Sequence, residues 1–285
     1  MDETSLHGLL GRVLAIALAT AACLLRDVSL LPDGRLHLDV LDVGQGDSLL
    51  LTAPSGLRML IDGGPDVQAL VELGRLLPVS DQHVDIVVLT HPHRDHLVSL
   101  PTVLRRGGVR TVLLSGPTYD GAEYRSFLRE TASAGTTVII SDPATSLDLG
   151  AGVTLDVLWP PPETYARPWE GDVNDASVVL AVRWQGKCLA LLTGDLEAAG
   201  EENVLRSGAD VSCELLKAGH HGSRTSTGIS WLLAVRPAIA AISAGTGNTY
   251  DHPHEEVLDR LVKAGVEIRR TDREGTLSFV WDRVP

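Results

Sequence analysis

The sequence predicts an α/β (α+β) fold in which stacked mixed β-sheets carry helices on their outer sides. Three observations lead there. Short apolar runs of strand length recur along most of the chain. Helical patterns lie between them without strict alternation, which argues against a purely parallel sheet. No short repeat, low-complexity tract or long linker divides the series. With 285 residues, 44% of them hydrophobic and 21% charged, the chain is long enough for a sizeable core.

The elements follow in order. Residues 13–25, VLAIALATAACLL, form an apolar run between Arg12 and Arg26. The run is short for a membrane span, which takes about 20 residues, and suits the apolar region of an export signal. Thr20-Ala21-Ala22-Cys23 loosely resembles a lipoprotein cleavage site. Segment 1–30 is therefore expected to be a signal or membrane anchor, and 31–285 a folded domain in an extracytoplasmic location. Strands are expected at 36–42, 47–53, 58–62, 84–90, 110–114, 136–140, 153–158, 177–184, 187–193, 213–218, 238–243, 266–269 and 276–281, each a short apolar run. Helical spacing marks 66–77, 96–106, 122–134, 196–206, 226–235 and 254–264. Residues 160–168, PPPETYARP, are too rich in proline for regular structure and read as a surface loop.

The net charge of −13 argues against gripping nucleic acid by bulk charge, which needs many Lys and Arg on phosphates. A phosphate substrate remains compatible if metal ions supply local positive charge. Cys23, Cys188 and Cys213 have neither zinc-ligand spacing nor an obvious pairing. Cys188 and Cys213 lie in apolar runs and are expected to be buried thiols.

The densest chemistry is THPHRDH, residues 90–96, directly after the strand pattern VDIVVLT. Three imidazoles and a carboxylate within six residues have little packing value and high ligand value. Such a set can serve two cations, one on His91 and His93, the other on Asp95 and His96. LLTGD ends a strand on Asp195, where a carboxylate can bridge two metals or cap the next helix. KAGHHGS (217–223) and YDHPH (250–254) place further histidines after strands. These clusters hold all but His7, His37 and His83, a distribution that a site at a sheet edge requires. LDVGQGDSLLL, residues 41–51, reads on its own as a glycine turn or a site-lining loop. A Ser-His-Asp nucleophile pattern does not stand out, and GxSxG is absent.

The strand-HxHxDH-helix segment, with Asp62 in LIDGG before it and Asp195 after it, resembles the metallo-β-lactamase fold superfamily. More closely, LDVGQGD, LIDGG, LTHPHRDH, LLTGDLE, LLKAGHHGS, ISAGTGNTYDHPH and RRTDREGT, in that order from about Leu36 to the C-terminus, resemble the hydrolase-like domain of the ComEC competence DNA-uptake proteins. The resemblance implies an αββα sandwich with metals at one edge. It implies His91, His93, Asp95, His96 and Asp195 as ligands of two divalent ions, Zn or Mn, and Asp62 as the carboxylate that orients their shell. For the late ligand it points to His220 or His221, with His252 as the other candidate; His220 is favoured, with His221 or His252 near the leaving group. Many relatives carry one more ligand histidine where this chain has Asn174-Asp175-Ala176-Ser177. One ion would then be weakly held, or held by Asn174 or Asp175, which favours Mn²⁺. Leu97-Val98-Ser99 also replace the glycines usual after the HxHxDH motif.

The implied activity is metal-assisted phosphodiester hydrolysis, with Asp62, Asp95, His221 and His252 in catalytic roles. Gln45, Asp47, Lys217 and Ser223 are expected to bind substrate, Gln45 and Asp47 alternatively supporting the ligands. Single-stranded DNA in an uptake channel is the implied substrate and context. A small phosphoester, such as a phosphocholine ester or a cyclic nucleotide, is the alternative, for which Trp159, Tyr165 and Trp169 offer aromatic faces. A non-catalytic, channel-associated domain is the third reading.

Overall fold

The structure, a computed structural model, describes residues 3–162 and 172–282. Two seven-stranded mixed sheets pack face to face. The first comprises β1 (Leu36–Val40), β2 (Leu49–Thr52), β3 (Arg58–Ile61), β4 (Ile86–Leu89), β5 (Thr111–Leu114), β6 (Thr137–Ile140) and β14 (Leu277–Trp281), which pairs antiparallel to β1 and closes that edge. The second comprises β7 (Ser146–Gly150), β8 (Val153–Trp159), β9 (Val179–Trp184), β10 (Lys187–Leu192), β11 (Leu215–Lys217), β12 (Ile239–Ile242) and β13 (Glu267–Arg270). In each sheet, one side runs antiparallel and the other parallel.

Why the strands read as unbroken apolar runs is visible in the layers. Leu38, Leu51, Met59 and Val88 face Leu155, Leu180, Val182 and Leu192 in the inter-sheet core. Their neighbours Leu50, Leu60 and Val87 point the other way, against α2 (Gln68–Leu76), α3 (Leu100–Arg106) and α4 (Ala122–Ala134). Ala181, Leu191, Leu216 and Ala240 likewise pack outward on α5 (Ala198–Arg206), α6 (Ile229–Val235) and α7 (Glu255–Lys263). Central strands buried on both faces lose the apolar-polar alternation. The four layers are the αββα arrangement.

Several expectations change. β7 was not foreseen, because SLDLG is short and half polar; it exists as an edge strand through antiparallel pairing with β8. The helix expected over 96–106 is interrupted. A 3₁₀ turn covers Arg94–His96, and α3 begins only at Leu100, with Pro101 in its first turn. Between them Val98 and Ser99 donate their N–H groups to Gly64 and Gly63, which ties the histidine segment to the end of β3. Trp159 is not a loop aromatic. It ends β8, is buried, and its indole N–H donates to the Asp175 carbonyl. Tyr165 and Trp169 lie outside the described residues.

Cys188 and Cys213 are not thiols but a disulfide. The parallel register Ala190↔Leu215 sets the two cysteines opposite each other, two residues back on each chain, with Cα atoms 4.7 Å apart. Closing a loop of 25 residues stabilises by about 3 kcal/mol on chain-entropy grounds. Replacing both cysteines by serine is expected to lower the urea midpoint and to steepen the slope, because the unfolded chain is freed to expand. An unchanged midpoint would show the bridge to be energetically idle.

The N-terminal apolar run lies within α1 (Glu3–Ser29). Among the described residues, no helix is long and apolar enough to cross a membrane. Its last turn is fastened to the domain. The Arg26 guanidinium donates to the carbonyls of Gly74 and Arg75, and the Asp27 carboxylate accepts the N–H groups of Val79 and Ser80. Along the helix Leu14, Ile16, Leu18 and Leu25 remain exposed.

Candidate metal centre

The site forms at one edge of the sandwich, where loops after strands of both sheets meet. β4 ends in Thr90 and His91. The Thr90 backbone N–H and hydroxyl both donate to the Asp62 carboxylate, at 2.8 and 2.7 Å. Asp62 follows β3 with φ 61°, a left-handed conformation that Asp tolerates better than most residues. Its carboxylate also accepts from His96 Nδ1 at 2.8 Å. His96 is thereby fixed with its proton on Nδ1, and its Nε2 is buried without a hydrogen-bond partner.

His91 follows directly. Its Nδ1 lies 3.1 Å from Thr90 Oγ1 and 3.3 Å from Ser177 Oγ. Its Nε2 lies 3.1 Å from His93 Nδ1 and 3.8 Å from Asp195 Oδ2. In the KAGHHGS turn, His220 and His221 both adopt positive φ, 46° and 54°. Such strain gathers at functional sites. It turns His221 inward, where Nδ1 donates to the Ser243 carbonyl at 3.1 Å and Nε2 is left unpartnered.

Asp195 is the focus. It follows β10, is 1% exposed, and its backbone N–H donates to Ser177 Oγ. Its Oδ2 lies 3.3 Å from His96 Nε2, 3.4 Å from His221 Nε2, and 3.8 Å from both His91 Nε2 and His220 Nε2. Asp95, His96, Asp195 and His221 offer one ligand atom each, all within 4.8 Å of one another. Burial works to raise the Asp195 carboxyl, but the His221 and His96 rings overcome it and hold the acid well below its usual range. Those rings are in turn pushed well above the ordinary imidazole value by Asp195, against their own burial. A buried cluster of bare acceptors that draws in positive charge this strongly has the donor set of a divalent cation, and the residues fit one.

The other expected residues divide. His93 and Asp95 line the open side of the cleft, about 290 Å³ in volume, together with Gln45, His220 and His252. His220 is not aimed as His221 is. Its Nδ1 is bound to the Glu197 carboxylate at 2.8 Å, which draws that carboxyl below its usual range. Three expected substrate contacts are corrected. Asp47 and Lys217 are each 1% exposed and form a buried ion pair at 2.7 Å, out of a substrate's reach. Ser223 is buried with its hydroxyl on Thr225 Oγ1.

Three cleft neighbours went unrecognised in the sequence: Arg94, Glu197 and Tyr250. Arg94 stood inside the histidine motif and Glu197 two residues past Asp195, so their positions carried a signal. Among the described residues Asn174 Oδ1 is buried and has no partner, while its amide nitrogen faces Glu197 at 3.4 Å. Asp175 is spent elsewhere, its Oδ1 accepting the N–H groups of Glu197 and Gly200 at the start of α5.

Over 260 residues the chain is 29% identical to ComE operon protein 3 of Bacillus subtilis (strain 168), covering 85% of this chain and 33% of that protein. Over 253 residues it is 31% identical to Competence protein ComA of Neisseria gonorrhoeae, covering 87% and 33%. The chain thus spans about a third of the length of these curated relatives. Among solved structures, the metallo-β-lactamase fold protein YhfI from Bacillus subtilis superposes with a TM-score of 0.55 at 13% identity, over 86% of this chain and all of that one. At that identity the likeness shows the fold. Residues 41–246 match the family model of the metallo-β-lactamase superfamily. With that match over most of the chain, and with the two sheets, the histidine motif and Asp195 in their places, the chain belongs to the metallo-β-lactamase superfamily.

Proposed function

We propose that this chain is a metal-dependent phosphodiesterase that cleaves single-stranded DNA on the outer side of a membrane, in a DNA-uptake context. The observation that carries the reading is the convergence of four histidine Nε2 atoms on one buried carboxylate oxygen, Asp195 Oδ2. His91, His93, Asp95, His96, Asp195 and His221 would hold divalent ions there, which would supply Lewis acidity and lower the pKa of a bound water. Asp62 orients His96 for this work. The likeness to competence proteins supports a DNA-uptake context, and the Cys188–Cys213 disulfide favours an oxidising compartment. The exposed apolar side chains of α1 support an attachment at a membrane surface.

The neighbouring histidines exchange their expected roles. His221 serves as the ligand and His220 stands at the rim. The Glu197 carboxylate holds a proton on His220 Nδ1 and leaves Nε2 toward the cleft, so that the ring, after taking a second proton from solvent on Nε2, can pass that proton to the leaving oxygen. His252 does different work. Gln45 Oε1 accepts from the Gly245 N–H, so its amide nitrogen donates to His252 Nδ1 at 3.2 Å. The hydrogen of the neutral ring therefore sits on Nε2. Burial and the nearby His221, His220 and His254 push the His252 pKa down to about 4. It donates a hydrogen bond to a phosphoryl oxygen at neutral pH and carries no transferable charge.

Asn174 Oδ1 fills the place where relatives carry another histidine. An amide oxygen is a harder donor than imidazole and suits Mn²⁺ better than Zn²⁺. Asn174→His is expected to shift the metal taken up in Mn²⁺/Zn²⁺ competition toward Zn²⁺ by about tenfold or more. Metal analysis after dialysis reads this directly, and an unmoved ratio removes Asn174 from the shell.

The deciding experiment is hydrolysis of a single-stranded oligonucleotide with Mn²⁺ or Zn²⁺, beside Asp95→Ala. Cleavage lost in the variant supports the nuclease. A second reading, a small phosphodiester substrate, is favoured by the narrow cleft and the net charge of −13. Hydrolysis of bis(p-nitrophenyl) phosphate without oligonucleotide cleavage would select it. Failure on both would overturn the hydrolytic reading.

A further inference from the structure

Behind the metal centre lies a buried charge pair that the hydrolytic reading does not use. Lys217 is the last residue of β11, and Asp47 ends the glycine loop after β1. Their charged atoms are 2.7 Å apart, and Lys217 Nζ also donates to the Ala218 carbonyl. The second oxygen of Asp47 lies 3.3 Å from His221 Nδ1, the atom that donates to the Ser243 carbonyl. Ser243 Oγ in turn donates to the Gly46 carbonyl at 2.6 Å, so the loop carrying Asp47 is tied to the segment that receives the His221 proton.

A buried ion pair is a poor stability device, since apolar replacements are often as good or better. Comparison with Asp62 suggests its use. Asp62 stands behind His96 and takes its counter-donors from the Thr90 N–H and hydroxyl. Among the described residues Asp47 has no backbone N–H or hydroxyl donor on either oxygen. An ammonium group supplies what those donors supply to Asp62.

We propose that Asp47, paired with Lys217 at 2.7 Å, is the positioning residue for His221. It holds the proton on Nδ1 and keeps Nε2 bare toward Asp95 and Asp195. The two carboxylates thus act as a matched pair, one behind each inward histidine. This inference rests on His221 being a metal ligand.

The test uses the full chain as Asp47→Asn, Lys217→Met, the double variant and His221→Ala. Zn²⁺ affinity is measured by competition with a chromophoric chelator, and folding by urea midpoint. Asp47→Asn is expected to weaken Zn²⁺ binding about 10–100-fold, the usual loss for a residue behind a ligand. The double variant, free of unpaired buried charge, is expected to regain the midpoint lost in Lys217→Met but not the affinity. A double variant binding Zn²⁺ like the wild type, while His221→Ala does not, overturns the proposal alone. Wild-type affinity in His221→Ala overturns the ligand reading and this inference with it. Should the double variant not fold, the Zn²⁺ affinity of Asp47→Asn decides: a loss of about 10–100-fold supports the proposal, and wild-type affinity overturns it.

Discussion

Asp195→Asn is expected to abolish hydrolysis, lowering kcat/KM by about 10³-fold or more, roughly 4 kcal/mol of transition-state stabilisation. The substitution is nearly isosteric and the residue is fully enclosed, so the backbone has little reason to move. What changes is charge and atom type at the point where His96, His221, His91 and His220 converge at 3.3–3.8 Å. An amide offers one neutral oxygen, and its NH₂ would face ring nitrogens or a cation. The metal content of the purified chain is expected to fall with the activity. The measurement is bis(p-nitrophenyl) phosphate hydrolysis beside metal analysis of the same sample. Activity within tenfold of wild type, at full metal content, would remove Asp195 from the centre of the site.

The parts of this site that were legible in the sequence share a property: they are chemically dense and local. THPHRDH announces itself because three imidazoles at a strand end have no packing purpose, and its residues do converge around the Asp195 carboxylate. The layered fold was legible from short apolar runs, since strands buried on both faces show no alternation. What stayed hidden depends on register or on backbone sign. His220 and His221 are identical side chains in adjacent positions. Two successive left-handed conformations decide which one turns inward. Cys188 and Cys213 looked like thiols until the parallel pairing of β10 with β11 put them opposite each other. Asp47 and Lys217 come from different sheets, and nothing in either local pattern says that they meet. Glu197, the last residue of LLTGDLE, carries no role in the sequence reading, yet it holds His220.

The glycine loop itself yields the sharpest contrast. Gly46→Ala is expected to cost both folding stability and the metal centre, whereas Gly44→Ala costs stability alone. Both glycines have positive φ, 151° and 76°, so a side chain at either is strained, by about 1–2 kcal/mol. Their surroundings differ. A Cβ on Gly44 meets nothing within 4 Å, while one on Gly46 would sit 2.3 Å from the Asp95 carbonyl oxygen and 2.9 Å from Pro65 Cδ. The first of these is backbone and cannot swing aside. The same Asp95 carbonyl accepts the Asp47 N–H, and the Asp47 carbonyl accepts from Gly64 beside the Asp62 turn. Relief of the clash must therefore displace Asp95, Asp47, or both, moving a ligand and the carboxylate behind His221 together. A shift of about 1 Å at such a site costs on the order of 10²-fold in rate. The expected result is a lowered urea midpoint in both variants, with metal content and hydrolysis lost only in Gly46→Ala. Equal inactivation by Gly44→Ala would mean that the loop acts through its flexibility. Selective loss at Gly46 means that the second glycine of LDVGQGD is there because the metal-binding turn passes directly against its α-carbon.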